Sequence, residues 1–194
     1  MKNQKRKYWI VTDTHFGHTN IHDFCQRPIG FEDKILQNLK NTVSENDVLI
    51  HLGDVAWYQE DKWHQELMNI KTFRKWLVKG NHDRKSMSWY LDQGWDFVGD
   101  TLSLHIYNKK IIFSHIPLIG LTANNPNFDY NIHGHFHNLE IERIKKYENH
   151  ILCRLNNKHL LLYMEHNYMP FNLERVLVDA KDNYTSKYYT FNRL

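Results

Sequence analysis

The chain has 194 residues, 41% of them hydrophobic and 24% charged, with a formal net charge of +3. That length and apolar share can close one full core, so a single domain over residues 1–194 is the simplest reading, and the charge is too mild to imply a polyanionic partner. The longest apolar stretches, such as "HLLLYM" at 159–164, are far too short to span a bilayer, and the basic start "MKNQKRK" leads into no signal region. A cytoplasmic protein with no membrane partner is the expectation. Cys25 and Cys153 fit neither a disulfide framework nor a CxxC metal pattern and read as packed thiols.

In chain order, 7–12 ("KYWIVT") reads as a strand. Apolar residues at Phe31, Ile35, Leu36, Leu39 and Val43 recur at helical spacing over 31–43. A second buried strand, "DVLIHLGD" at 47–54, is stopped by Gly-Asp, and 59–70 is again helical through Trp63, Leu67 and Ile70. A third strand in 74–83 runs into the polar turn "GNHD", followed by a helix in "RKSMSWYLDQG". The period then changes: 101–117 predicts a hairpin with an Asn-Lys turn. From about 139 onward the pattern predicts further strands, one helix around 171–178, and an added edge strand at "KYYTF". Alternating strands and helices followed by hairpins predict a mixed α and β domain whose loops gather at strand ends.

The fourteen histidines acquire meaning from where they fall. Strand ends carry Asp13-Thr14-His15, Gly53-Asp54, Gly80-Asn81-His82-Asp83, Ser114-His115 and Gly134-His135-Phe136-His137. In an open sheet such ends converge on one crevice. Carboxylates and imidazoles without thiolates suit Mn, Fe, Zn or Ni, and seven ligands are too many for one tetrahedral ion, so two divalent metal ions sharing a ligand are expected. Gly53, Gly80 and Gly134 each precede a ligand, where the backbone must turn sharply or approach the ions closely.

These five blocks, D-x-H, G-D, G-N-H-D, H and G-H-x-H in that order, resemble the signature of the calcineurin-like metallophosphoesterase superfamily. The match runs from Asp13 to His137, and "THFGH" with the small size resembles the compact bacterial and phage members. The resemblance implies an α+β fold, a four-layer sandwich of two mixed β-sheets flanked by helices, with a dimetal site at the strand ends. It implies that Asp13, His15 and His137 hold one metal, that Asn81, His115 and His135 hold the other, and that Asp54 bridges them. Manganese is the expected ion. The reaction implied is attack of metal-activated water on a phosphoester, with His82 protonating or stabilising the leaving oxygen. The segment "MEHNYMPFNLERV" at 164–176 resembles the closing segment of compact members.

Where the phosphoprotein phosphatase branch continues its Gly-Asp block with Asp and Arg, this chain has Trp57 and Tyr58, which weakens a Ser/Thr phosphatase reading. Asp83 is then a candidate to orient His82, or a cap of the next helix. Trp57, with its flat ring, His18, Arg27 and Arg84 are candidates for a substrate rim able to take a nucleotide diester, and the polar loop 121–130 is a candidate wall. The leading function is a phosphodiesterase acting on small diesters, cyclic nucleotides or nucleic-acid ends. A phosphomonoesterase, a nuclease and a catalytically silent scaffold of the same fold are the alternatives. Neither the natural substrate nor the oligomeric state is written in the sequence.

Overall fold

A computed structural model of the chain describes residues 5–119 and 127–181 and the backbone of 189–190. The elements are, in order, β1 (Tyr8–Val11), α1 (Ile21–Cys25), α2 (Phe31–Thr42), β2 (Val48–His51), α3 (Glu60–Met68), β3 (Arg74–Val78), α4 (Met87–Asp92) and β4 (Phe97–Gly99). They continue as β5 (Thr101–Ile106), β6 (Lys109–Ser114), β7 (Tyr130–His133), α5 (Ile141–Leu152), β8 (His159–Leu161), a 3-10 turn at Met164–His166, β9 (Phe171–Asn172), α6 (Leu173–Lys181) and β10 (Tyr189–Thr190).

Two mixed five-stranded sheets result, ordered β4-β3-β2-β1-β9 and β10-β8-β7-β6-β5, and helices flank them as expected. In the first sheet β1 to β4 are parallel and β9 adds an antiparallel edge. In the second, β6, β7 and β8 are parallel, with antiparallel β5 and β10 at the edges. Register then decides where polar residues land. Val11 pairs with His51 and His51 with Leu77, so the first three strands end side by side, and Ser114 pairs with His133 at the matching end of β6 and β7.

One core joins the sheets: Ile10, Leu49, Ile50 and Leu77 pack in the same cluster as Ile111, Phe113, Ile132 and Leu160. Strand alternation sends Leu160 into that core and Leu161 to the other face. There Leu161 meets Phe136, Ile144 and Leu152, which fixes α5 over the outer face of the second sheet. Full burial of one such side chain is worth about 1.5–3 kcal/mol.

Four sequence expectations are corrected. The hairpin turns at Tyr107-Asn108, both with positive φ, rather than at Asn-Lys, because Lys109 already pairs with Ile106. The segment 141–152 is helical, since Ile144, Ile151 and Leu152 form one buried stripe among charged residues. The helix expected around 171–178 begins two residues later, after Phe171 and Asn172 pair with β1. Cys153 is exposed while Cys25 is buried, and both are free. The edge strand read in "KYYTF" exists as β10. Among the described residues no helix is long and apolar enough to cross a membrane.

Candidate metal centre

The five strand ends meet, and the backbone that brings them together is unusual at the candidate ligands themselves. Asp13 (φ 48°), His15 (φ 47°), Asp54 (φ 55°), His135 (φ 76°) and His137 (φ 52°) all occupy the left-handed region. Such a conformation costs an L residue about 1–2 kcal/mol. Neighbouring loops hold it in place: Asp13 N–H donates to the Gly53 carbonyl at 2.9 Å and His15 N–H to the Asp54 carbonyl at 2.9 Å. Glycines permit the close approach, because a Cβ on Gly80 would overlap the Asp54 carboxylate and one on Gly134 the Asp13 carboxylate.

The expected first set is assembled. Ligand atoms of Asp13, His15 and His137, all buried, lie within 4.8 Å of one another. His137 Nε2 stands 3.5 Å from Asp13 Oδ1. A second buried group joins Asp13 and Asp54 to His115, whose Nε2 is 2.9 Å from Asn81 Oδ1. Asp54 Oδ2 sits 3.5 Å from His15 Nε2 and 3.3 Å from His115 Nε2, the position a bridging carboxylate needs. His135 differs. Its Nε2 faces Glu148 Oε1 at 2.9 Å, so Nδ1 is the nitrogen left for an ion, although its ring remains 5.2 Å from that of His115.

Electrostatics agree with a cation site. Burial alone would lower the pKa of His115, yet the Asp13 and Asp54 carboxylates and the Leu52 carbonyl outweigh it and raise it to about 9. For His137 burial is again outweighed, by Asp13 and by hydrogen bonds, and its pKa is raised well above the ordinary value. Protons are drawn to where positive charge is wanted. His15 is instead held well below the usual imidazole range by burial. A buried, all-oxygen-and-nitrogen donor set of this kind fits divalent transition metals. Cys25, His137 and Glu165 also cluster, but the Arg27 guanidinium lies 2.6 Å from the Glu165 carboxylate and opposes a further cation there.

The remaining expected residues separate into two groups. His82 lines the cleft above the ligands, its N–H donating to Asp54 Oδ1 at 2.9 Å and its ring 4.6 Å from that of Trp57. Burial lowers its pKa. His18 and Trp57 stack at 4.3 Å and form the adjoining wall, whereas Arg84 is exposed and is not among the residues that line the cleft. Arg27 and Asp83 require correction. Arg27 is buried behind the ligands, donating from Nε and Nη2 to Glu165 and from Nη1 and Nη2 to the Thr14 and Asp13 carbonyls, so it does not reach the rim. Asp83 neither orients His82 nor caps α4, whose cap is Ser86. Its buried carboxylate accepts the N–H groups of Asp54, Val55 and Gly80 at 2.8, 3.0 and 2.7 Å. Burial, then the Asp54 charge, pushes its pKa up to about 6.

A cleft of about 490 Å³ opens over this centre. Ile21, Phe24 and Leu139 give it an apolar side, and Arg143 also lines it. Most of the loop at 121–130 lies outside the described residues. Sequence reasoning missed Glu148, Glu165, Phe24, Leu139 and Arg143, and the one sequence signal that bears on any of them is Glu165's place in the closing segment at 164–176.

Two buried groups of Asp and His side chains that share Asp13 lie at the strand ends, an arrangement able to hold divalent metal ions. Residues 7–156 match the calcineurin-like phosphoesterase superfamily domain, and the chain belongs to that superfamily. It is 30% identical over 139 residues to uncharacterized protein MJ1445 of Methanocaldococcus jannaschii, covering 68% of this chain and 70% of that one. The crystal structure of AQ665, a protein of unknown function from Aquifex aeolicus, matches with a TM-score of 0.69 and 28% identity, covering 90% of this chain and 99% of that one. Membership supports metal-dependent phosphoester hydrolysis.

Proposed function

We propose that the protein is a dimetal-dependent phosphodiesterase that hydrolyses small diesters, cyclic nucleotides or nucleic-acid ends. Asp13, His15 and His137 would hold one divalent ion, Asn81, His115 and His135 the other, and Asp54 both. Manganese is our choice of ion for this donor set. Bound ions supply charge neutralisation at the phosphoryl oxygens and a water acidic enough to attack.

The chain's own residues do the rest. Asp54 is fixed at both ends, its carboxylate accepting from His82 N–H and its own N–H donating to Asp83. His82 projects into the cleft beside Asp54, where its imidazole delivers a proton to the leaving oxygen. The observation that carries the diester reading is the shape of the cleft: beside the ligands lies an apolar and aromatic side, formed by His18, Trp57, Ile21, Phe24 and Leu139. A monoester needs no such surface, whereas a second ester substituent or a nucleobase would lie against it. Two free cysteines suit a reducing compartment such as the cytosol.

The test is chelation followed by reloading with Mn²⁺ and comparison of bis-p-nitrophenyl phosphate with p-nitrophenyl phosphate. Faster turnover of the diester is expected. Preference for the monoester would make this a phosphomonoesterase, and two bound ions with neither substrate hydrolysed would make it a scaffold.

A further inference from the structure

We propose that the C-terminal third supplies one positioning carboxylate to each metal site, Glu165 to His137 and Glu148 to His135, an inference that rests on the two-metal reading above. A ligand imidazole gives one nitrogen to an ion and carries its proton on the other, and that proton needs an acceptor or the ring is free to adopt the wrong tautomer. His135 and His137 are two residues apart in one loop, so local backbone alone does not distinguish them. The carboxylates do. Glu165 Oε1 lies 2.9 Å from Nδ1 of His137, whereas Glu148 Oε1 lies 2.9 Å from Nε2 of His135. The two rings are thereby assigned opposite tautomers, leaving Nε2 for an ion at His137 and Nδ1 at His135.

The Glu165 carboxylate is itself held. Glu165 sits on the 3-10 turn, and the same oxygen that meets His137 accepts from Arg27 Nε and Nη2 at 2.8 and 2.6 Å. Arg27 also donates to the carbonyls of Asp13 and Thr14 at 2.6 and 2.8 Å. One buried ion pair therefore links the loop bearing Asp13 and His15 to the residue that aims His137, which gathers all three ligands of one site. A buried pair is weak evidence for stability as such, and fixing a geometry is its better-supported use.

Glu148 is marked differently. It lies inside α5 yet has φ −134° and ψ 30°, the one non-helical residue recorded within that helix. Sharp kinks usually come from Pro, Gly, π-bulges or an inserted group, and 141–152 contains neither Pro nor Gly. The break falls at the residue that reaches His135. Its side chain is 29% exposed against 3% for Glu165, so water competes for its hydrogen bond and its effect is expected to be the smaller.

The experiment titrates Mn²⁺ into chelated full-length protein by calorimetry, for wild type, Glu148→Ala, Glu148→Gln, Glu165→Ala and Glu165→Gln. Each alanine variant is expected to weaken one of two sites, by about 10- to 100-fold for Glu165 and less for Glu148. The glutamine variants, whose amide oxygen still accepts the ring N–H, should recover most of the loss. In a His137→Ala background Glu165→Ala should have no further effect on the remaining site, while Glu148→Ala still weakens it. Wild-type affinities at both sites in the alanine variants would overturn the proposal, as would parallel loss of both sites in Glu148→Ala. Should Glu165→Ala not fold, Glu148→Ala and the glutamine variants carry the test. Substrate is absent throughout, so failure of the phosphodiesterase reading would leave these isotherms unchanged.

Discussion

Asp83 and Asp54 face one another across two loops, and the contact runs from backbone to side chain: the N–H of Asp54 donates to the Asp83 carboxylate at 2.8 Å. Because Asp83 also accepts from Val55 and Gly80, it fastens the end of β2 to the end of β3 beneath the proposed bridging ligand. Asp83→Ala leaves three N–H groups without their acceptor, at about 1–3 kcal/mol for each that stays buried. Urea denaturation should show a loss of about 3 kcal/mol or more, against less than about 0.5 for exposed Arg84→Ala. Equal stability of the two variants would contradict the role.

His82 belongs to neither proposed ligand set: its Nε2 is 3.9 Å from Asp54 Oδ2 and its ring meets that of His15 edge-on at 5.7 Å. His82→Ala should therefore keep wild-type Mn²⁺ content by elemental analysis while kcat falls about 10²- to 10⁴-fold, most steeply for esters with poor leaving groups. An equal fall for good and poor leaving groups would remove proton delivery as its task.

The stacked rings of His18 and Trp57 stand beside the proposed ligand sets, with His18 5.6 Å from the ring of His15. A ring contact of this kind is worth about 0.5–1.5 kcal/mol. Trp57→Ala should raise KM for an aryl diester by about 2- to 10-fold, with metal content unchanged and little effect on a methyl diester. His18→Ala should do the same more weakly, and loss of an ion in either variant would move that residue from the wall into the ligand set.

Acid stability should carry the signature of His64. Trp95 Nε1–H donates to His64 Nδ1 at 2.9 Å inside a buried aromatic cluster, which requires the neutral ring. Burial, partly offset by Asp61, lowers its pKa to about 4. The unfolded chain, with a pKa of about 6.5, binds the proton first, so the contribution is complete above about pH 6.5 and is lost as pH falls toward 4. The slope is about 1.4 kcal/mol per pH unit for one such group. Urea midpoints between pH 4.5 and 7 should fall more steeply for wild type than for His64→Gln, which keeps an acceptor for Trp95. Parallel curves would assign the acid sensitivity to other groups.

The centre was legible in the sequence because its residues follow apolar runs directly: Asp13 after "YWIVT", Asp54 after "VLIHLG", His115 after "IIFS". A polar residue stopping a buried strand is a local signal, and parallel register carries it to the sheet edge. What supports the centre left no such trace. Arg27 and Glu165 are 138 residues apart and meet only through the tertiary fold, beside the Asp13 and Thr14 carbonyls, so nothing in "QRPIG" distinguishes a buried clamp from a rim arginine. Asp83 looked like a helix cap because its three acceptor bonds are made to backbone, which has no sequence pattern. The helix over 141–152 was hidden by its charges, since only one narrow stripe is buried.

The left-handed backbone at Asp13, His15, Asp54, His135 and His137 sets the fold and its chemistry at odds over the same five positions. Glycine or asparagine would sit there more comfortably, and neither would crowd like charges together below the surface. Selection for heat resistance alone would therefore act first at the strand ends, on residues that the proposed reaction uses. A glycine at any of these positions would relieve backbone strain and remove a proposed ligand at once, so stability and metal affinity are expected to move in opposite directions.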